Sequence, residues 1–275
     1  IKSPHEVINM KNKTINYTRI NDFSFDIKYL ELNGSRQNVN YQHAHGECEI
    51  YINLSGDVSF MVENTVYPIK RGSVIITRPN ENHHCIINSD KLHRHYWILF
   101  GTNGNEGLFD IFFERGAGEN NLIELSPEDL EKVCGICSEM LLSDGSGDYC
   151  LFFALISSLR NGRMLKDRKI KLSQDVAGAL EYMDSHIEEQ ILIEDLAKMA
   201  FVSVNTFERH FKKQTGMTAG EYLLQKRLFY SCRLLDRGKS VQDACCGSGF
   251  SDCSYYIKKF RTLYGITPKQ YKTKK

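Results

Sequence analysis

No apolar run in the 275 residues approaches the ~18 positions that a helix needs to cross a bilayer, so a membrane-spanning helix is excluded. The opening segment IKSPHEVINMKNK has no apolar signal core, so no secretion signal is expected and a cytoplasmic location follows. Cysteines are plentiful, but their odd number, 9, and irregular spacing do not make a disulfide framework. They fit reduced thiols in a cytoplasm. Cys134 and Cys137 form a C-x-x-C inside a helical pattern, with no second pair at zinc spacing, so a buried structural role is favoured over redox or zinc chemistry. A large charge of one sign is also missing. The net charge is +1, yet the balance is acidic before Lys171 and basic after it, so only the C-terminal part is suited to meet a polyanion.

What is present fits globular protein, with 41% hydrophobic and 25% charged residues in a length sufficient for one large or two ordinary domains. Residues 15–100 read as short strands. Alternation is plain over Phe25–Leu32, and β-rich runs recur at Glu49–Leu54, Val58–Val62, Val66–Ile69, Val74–Thr77 and Tyr96–Phe100. This spacing, with Gly and Asn turns, predicts an antiparallel barrel or sandwich. Residues 102–121 show no clean period. Ser126-Pro127-Glu128-Asp129 is a helix start, with Ser as cap, Pro first and acids in the first turn. Two amphipathic helices come next, carrying Leu130, Val133, Cys134, Cys137 and Leu141, then Leu151, Phe152, Leu155, Ile156 and Leu159. They pack on the barrel or form a dimer seam, and the seam is the reading taken. The polar run at 161–171 reads as a linker, and everything from Ser173 onward reads as helix.

The helical part contains a repeat. Asp195 aligns with Asp243 and Ser203 with Ser251 at an offset of 48. Phe211 and Phe260, Gly216 and Gly265, Thr218 and Thr267, Tyr222 and Tyr271 align at 49, which places a one-residue slip inside the recognition helix. Two helix-turn-helix units with matching caps, Gly stops and Lys/Arg runs point to DNA binding far more specifically than one. In the second unit Ser251 is expected to cap the reading helix. Gly247 and Ser248 weaken the helix before it, because Gly costs about 1 kcal/mol of propensity relative to Ala. The second unit is therefore expected to be the softer.

The stretch GFSDCSYYIKKFRTLYGITPKQY resembles the hallmark of the DNA-binding domain of AraC/XylS-type transcription regulators, and the resemblance covers the last hundred residues or so. It implies that both reading helices enter successive major-groove segments on one face of DNA. It carries the base-reading positions onto Asn205, Glu208 and Arg209, and onto Ser254, Tyr255 and Lys258. Arg209 suits a guanine, Asn205 an adenine and Glu208 a cytosine amine. Lys212, Lys213, Lys259 and Arg261 are expected on phosphates, which position without specifying.

In the strand region His43-Ala44-His45, Glu49 and Gly56, then Gly72, Pro79 and His83, resemble the two cupin motifs, and AraC-type regulators often carry such a barrel. Gly34 is farther from His43 than that pattern expects, and Asn80 stands where Gly usually comes after Pro. His43, His45, Glu49 and His83 have three readings: a metal site, since imidazole suits several transition ions; a sugar pocket with Trp97 or Tyr41 stacked on the ring; or satisfied polar residues with no ligand. The sugar pocket is favoured, with no metal or other cofactor, because the resemblance implies a small organic effector.

The expected architecture is multidomain α and β: a cupin-like antiparallel β-barrel over 1–125, a helical dimerisation segment over 126–163, a linker over 164–172 and an all-α double helix-turn-helix domain over 173–275. The resemblance implies a non-enzymatic, ligand-responsive regulator that activates carbohydrate genes, with double-stranded DNA, a small effector, a second copy and RNA polymerase as partners. The rival from another class is a metal cupin enzyme whose helical tail docks it. A thiol sensor built on Cys245, Cys246 or Cys253 has only their position beside a reading helix in its favour.

Overall fold

The central strand Cys48–Ser55 is buried on both faces over its first six residues, one face against a second sheet and one against helices. The computed structural model describes residues 11–16, 24–32, 46–143, 148–165 and 169–273. Tyr41, His43, His45 and Gly34 lie outside that set. The chain divides into two compact units between Ile170 and Lys171.

The first unit is a two-sheet, all-antiparallel sandwich. Its strands are β1 (Lys11–Asn16), β2 (Ser24–Leu32), β3 (Cys48–Ser55), β4 (Val58–Val62), β5 (Thr65–Pro68), β6 (Ser73–Thr77), β7 (His83–Ile87), β8 (His93–Phe100), β9 (Leu122–Glu124) and β10 (Arg163–Met164). The larger sheet runs β1-β2-β8-β3-β6-β9-β10 and the smaller β5-β4-β7. Even-numbered residues of β3, β6 and β8 (Ile50, Ile52, Val74, Ile76, Ile98) turn to the outer face. There they meet α2 (Pro127–Leu142) and α3 (Asp148–Asn161) through Val133, Cys137, Met140, Phe152 and Ile156. Odd-numbered Tyr51 and Ile75 turn inward to Phe60, Val62 and Tyr67 of the smaller sheet.

Ser126 caps α2 by accepting from the Asp129 N–H, with Pro127 at the first position, as its sequence requires. The apolar stripes of α2 and α3 are spent on the sheet. The segment without a period holds α1 (Asp110–Phe113), a preceding 3₁₀ turn and β9. Phe109 and Phe112 dock on Phe100 with ring centroids 4.9 and 5.3 Å apart, which is what fixes that segment. Beyond α3 the chain returns to the sheet: Leu165 N–H donates to Leu122 O and Ile170 N–H to Val66 O. The ends of the stretch read as a linker are thus tied to the strands.

The second unit is helical: α4 (Gln174–Ser185), α5 (Ile193–Met199), α6 (Val204–Thr215), α7 (Ala219–Asp236), α8 (Val241–Gly247), α9 (Cys253–Tyr264) and α10 (Pro268–Thr273). The central α7 begins in a capping box between Thr218 and Glu221. Two copies of one aromatic cluster hold each reading helix to its successor, α6 to α7 and α9 to α10. Phe207, Phe211 and Tyr222 have centroids 5.8 and 5.6 Å apart. Tyr256, Phe260 and Tyr271 have both spacings at 5.7 Å. Among the described residues no helix is long and apolar enough to cross a membrane.

Candidate effector pocket and nucleic-acid interface

The strand register brings a polar row to the inner face of the larger sheet. Glu49 lies between Thr77 and Leu99, Tyr51 between Ile75 and Trp97, and Asn53 beside His95. From the facing sheet β7 contributes His83, whose Nε2 is 3.1 Å from Glu49 Oε2. Its Nδ1 is 2.8 Å from Glu81 O. A carbonyl only accepts, so Nδ1 carries a hydrogen, and Nε2 and the Glu49 carboxylate share one further proton. The Tyr51 hydroxyl touches His93 Nε2 and lies 3.9 Å from Cys85 Sγ. The Tyr51 ring stacks on His95 at 4.7 Å, and His95 on His93 at 4.6 Å.

Burial sets the protonation of this cluster. It pushes His93 down to about 4, and burial with the neighbouring His93 pushes His95 down to about 3. The Tyr51 hydroxyl is driven well above its ordinary value by burial, and the Cys85 thiol up to about 12. His93, His95, Tyr51 and Cys85 are therefore neutral donors and acceptors at pH 7. Several are unspent: both Asn53 amide atoms, Thr77 Oγ1, His93 Nδ1 and His95 Nδ1 are buried without a hydrogen-bond partner. Buried polar groups are normally paired, so orphans gathered on one inner face call for a ligand or water. Among the described residues no group of three or more His, Cys, Asp or Glu is placed to hold a metal ion.

Beside the cluster, Glu81 pins the turn before β7. Its carboxylate takes Arg115 Nη2 at 2.6 Å, Gly118 N–H at 2.7 Å and Asn121 Nδ2 at 3.2 Å. Burial would raise the Glu81 carboxyl, but the Arg115 guanidinium and these bonds hold it below the usual range. Asn80, in that same turn, sits at φ 63°. The position needs a left-handed residue, and Asn meets the need that Gly meets in the cupin motif. Gly56 is likewise required: at φ 116°, a Cβ would stand 3.1 Å from His93 Cδ2.

In the second unit each turn ends in the same way. Val202 N–H bonds Ala197 O and Phe250 N–H bonds Cys245 O, both at 3.1 Å, after a left-handed Phe201 or Gly249. The caps correct the sequence alignment. Ser203 caps α6, but α9 is capped by Asp252, whose Oδ1 accepts from Ser254 and Tyr255 N–H. Ser251 is not the cap. The extra residue therefore lies in the second turn, and both reading helices align at one offset of 49 throughout.

Residues 24–103 match the AraC-like ligand binding domain, and residues 196–274 match a helix-turn-helix domain. LumQ of Photobacterium leiognathi is 25% identical over 232 residues, 83% of this chain and 90% of LumQ. RhaS of Mannheimia succiniciproducens, an HTH-type transcriptional activator, is 22% identical over 243 residues, 85% of this chain and 90% of RhaS. The solved ToxT structure from Vibrio cholerae aligns over 90% of this chain and 97% of that one, at 15% identity and a TM-score of 0.37. The chain belongs to the AraC family of transcription regulators.

As an AraC-family regulator it has a ligand-binding sandwich and a DNA-binding helical unit. Of the residues expected in the ligand site, the structure brings Glu49 and His83 together and leaves Trp97 half-buried in the same row, with Lys28 Nζ 4.2 Å from its ring. Tyr41, His43 and His45 fall outside the described residues. His93, His95, Tyr51 and Asn53 are site residues that sequence reasoning does not single out. Their signal is odd-numbered spacing along two strands, hidden because the apolar pattern of β8 begins only at Tyr96.

On the DNA-binding unit Asn205, Arg209, Lys212 and Lys213 stand exposed on α6, and Ser254, Tyr255 and Lys258 on α9. Ser254, Lys258 and Arg261 line a groove of about 610 Å³ along α9. Lys259 Nζ lies 5.4 Å from the Tyr255 ring. Glu208 differs: its Oε2 accepts from Ala219 N–H at 2.9 Å, so this carboxylate is committed to the start of α7. All nine cysteines are free thiols. Cys245 is pushed up to about 12 by burial and by a bond with Cys253, which leaves little thiolate for a redox sensor.

Proposed function

We propose that this AraC-family regulator binds a small, neutral, hydroxyl-rich effector such as a sugar on the inner face of its sandwich, and that the effector controls activation of carbohydrate genes in the cytoplasm. The observation that carries the reading is the set of orphaned atoms on Asn53, Thr77, His93 and His95 beside the Tyr51 ring. Each hydroxyl of a sugar both donates and accepts, which matches neutral imidazoles and an amide better than it matches an ion. Aromatic Tyr51 and Trp97 supply the apolar face that a sugar ring needs. A thermal-shift screen of pentoses and hexoses on the full chain tests it. A sugar that binds the folded state raises the melting temperature as its excess over Kd grows. Asn53→Ala should abolish that rise. No shift with any sugar, or a shift that survives Asn53→Ala, would sink the reading.

The same proposal assigns base reading to Asn205 and Arg209 on α6 and to Ser254, Tyr255 and Lys258 on α9, and phosphate contact to Lys212, Lys213, Lys259 and Arg261. Their exposure on the two equivalent helices supports it, with Lys259 half-buried and beside the Tyr255 ring. Arg209→Ala should relax sequence preference, whereas Lys212→Ala should weaken all duplexes alike and flatten the salt slope. Unchanged preference in Arg209→Ala counts against the assignment. A homodimer through the outward sides of α2 and α3, where Phe153 is exposed, and a contact with RNA polymerase complete the reading.

A further inference from the structure

The sandwich unit holds a concavity that none of the inner-face cluster lines. It has a volume of about 760 Å³, within the range of small-molecule sites, and opens where β2, β8 and the end of β3 meet α2. Because side chains alternate, this cavity and the imidazole cluster lie on opposite faces of the same strands: Tyr96 lines one, and its neighbour His95 belongs to the other.

Its charges do not cancel. Arg94 Nε is 3.2 Å from Glu31 Oε1, and the Tyr29 hydroxyl donates to that same oxygen at 2.5 Å. Arg94 is thereby neutralised and held in place. Arg71, on the turn between β5 and β6, lines the cavity with no carboxylate partner among the described residues. One positive charge is left over. The remaining wall is mostly aromatic and apolar, with Ser55, Cys134 and Ser138 among it: Tyr29 and Tyr96 have ring centroids 5.4 Å apart and tilted by 57°, and Leu54, Leu141 and Leu142 close the sides. Leu142 is 76% exposed, apolar surface offered to solvent at the mouth. The Tyr96 hydroxyl is tied to Ser138 Oγ at 3.0 Å, which anchors α2 over the cavity floor.

We propose that this cavity is a second ligand site, for an aromatic monocarboxylate whose carboxylate pairs with Arg71 and whose ring packs between Tyr29, Tyr96 and the last turn of α2. A guanidinium presents a planar fork that matches a carboxylate in two parallel bonds. A single uncompensated charge selects a monoanion over a dianion. The aromatic and leucine side of the wall favours an acid with a ring over a fully polar one. The bound ring would bridge the sheet and α2, so this ligand would act on the helix end of the unit without entering the inner face.

Isothermal titration of the full chain with phenylacetate, and with phenylacetamide as its neutral isostere, tests the site. Phenylacetate should bind, and the amide should bind at least about tenfold more weakly because it forfeits the charge-assisted pair. Arg71→Gln should cost phenylacetate a similar factor while leaving the melting temperature in place, since Arg71 is exposed. Asn53→Ala, on the inner face, should leave phenylacetate binding unchanged, which separates this site from the sugar reading. Absent phenylacetate binding, equal binding in Arg71→Gln, or loss of binding in Asn53→Ala would each overturn it.

Discussion

Phe201 and Gly249 hold the same place in two copies of one turn, at φ 56° and 80°. A side chain in that region costs about 1–2 kcal/mol, and glycine escapes the cost. Phe201 recovers nothing by burial, since it is 95% exposed. Phe201→Gly should therefore stabilise the unit by about 0.5–1 kcal/mol, after subtracting the extra freedom glycine gains in the unfolded chain. Gly249→Ala should do the opposite. Its Cβ would meet Ile187 O at 2.5 Å and Arg227 Nε at 2.8 Å as well as the strained φ, so a loss above about 2 kcal/mol is expected. Urea midpoints monitored at 222 nm measure both. A lower midpoint in Phe201→Gly would show that the exposed ring makes a stabilising contact.

Caps predict which helix-turn-helix element is the looser, and they predict the opposite of the order that composition suggests. By propensity the Gly247-Ser248 approach to the second turn is weak. In the fold Ser248 is buried and its hydroxyl returns to Ala244 O and Cys245 O, which satisfies the end of α8. The start of α8 has a capping box between Ser240 and Asp243, whereas α5 begins at Leu192 with no side-chain cap and ends at the strained Phe201. Amides of residues 193–200 should exchange faster than those of 241–248. Slower exchange there would return the second unit to its place as the softer one. The same limit on reading local signals shows elsewhere. The helix from Ser126 and the α7 box are legible because their caps are local chemistry. The strand HHCII at β7, the entry of β8 at His93 and the short β9 are not. Each is polar or brief and becomes a strand only through register with partners far along the chain. The ligand site divides in the same way: Glu49 and His83 come from a motif, while Tyr51, Asn53, His93 and His95 need the pairing of β3 with β8.

At the scale of the molecule, regulation requires that an effector bind one state of the chain better than another, and affinity without that difference shifts nothing. The two units also carry separable pH responses. His93 and His95 take a proton near 6.5 when unfolded but only at about 4 and about 3 in the sandwich. Between those values the unfolded chain binds more protons, so the stability that neutral burial supplies is complete above pH 6.5 and falls as the solution is acidified. In the helical unit the shifted carboxyls act in the same direction but in a lower pH window. Burial would raise Asp175, but its bonds from Ser173 and His210 hold it below 3.8, and the Thr218 backbone bond holds Glu221 below 4.5. Their contribution survives until the pH drops below those ordinary values. The only tryptophan, Trp97, lies in the sandwich, so its emission reports that unit alone. Between pH 6.5 and about 4.5 the denaturation midpoint read from Trp97 should fall more than the midpoint at 222 nm, to which the helical unit contributes most of the signal and α2 and α3 the rest. Replacing both His93 and His95 by Gln should flatten the Trp97 response. If its midpoint is already flat over that range in the parent chain, the imidazoles are not buried as neutral groups, and the case for a neutral, hydroxyl-binding pocket falls with them.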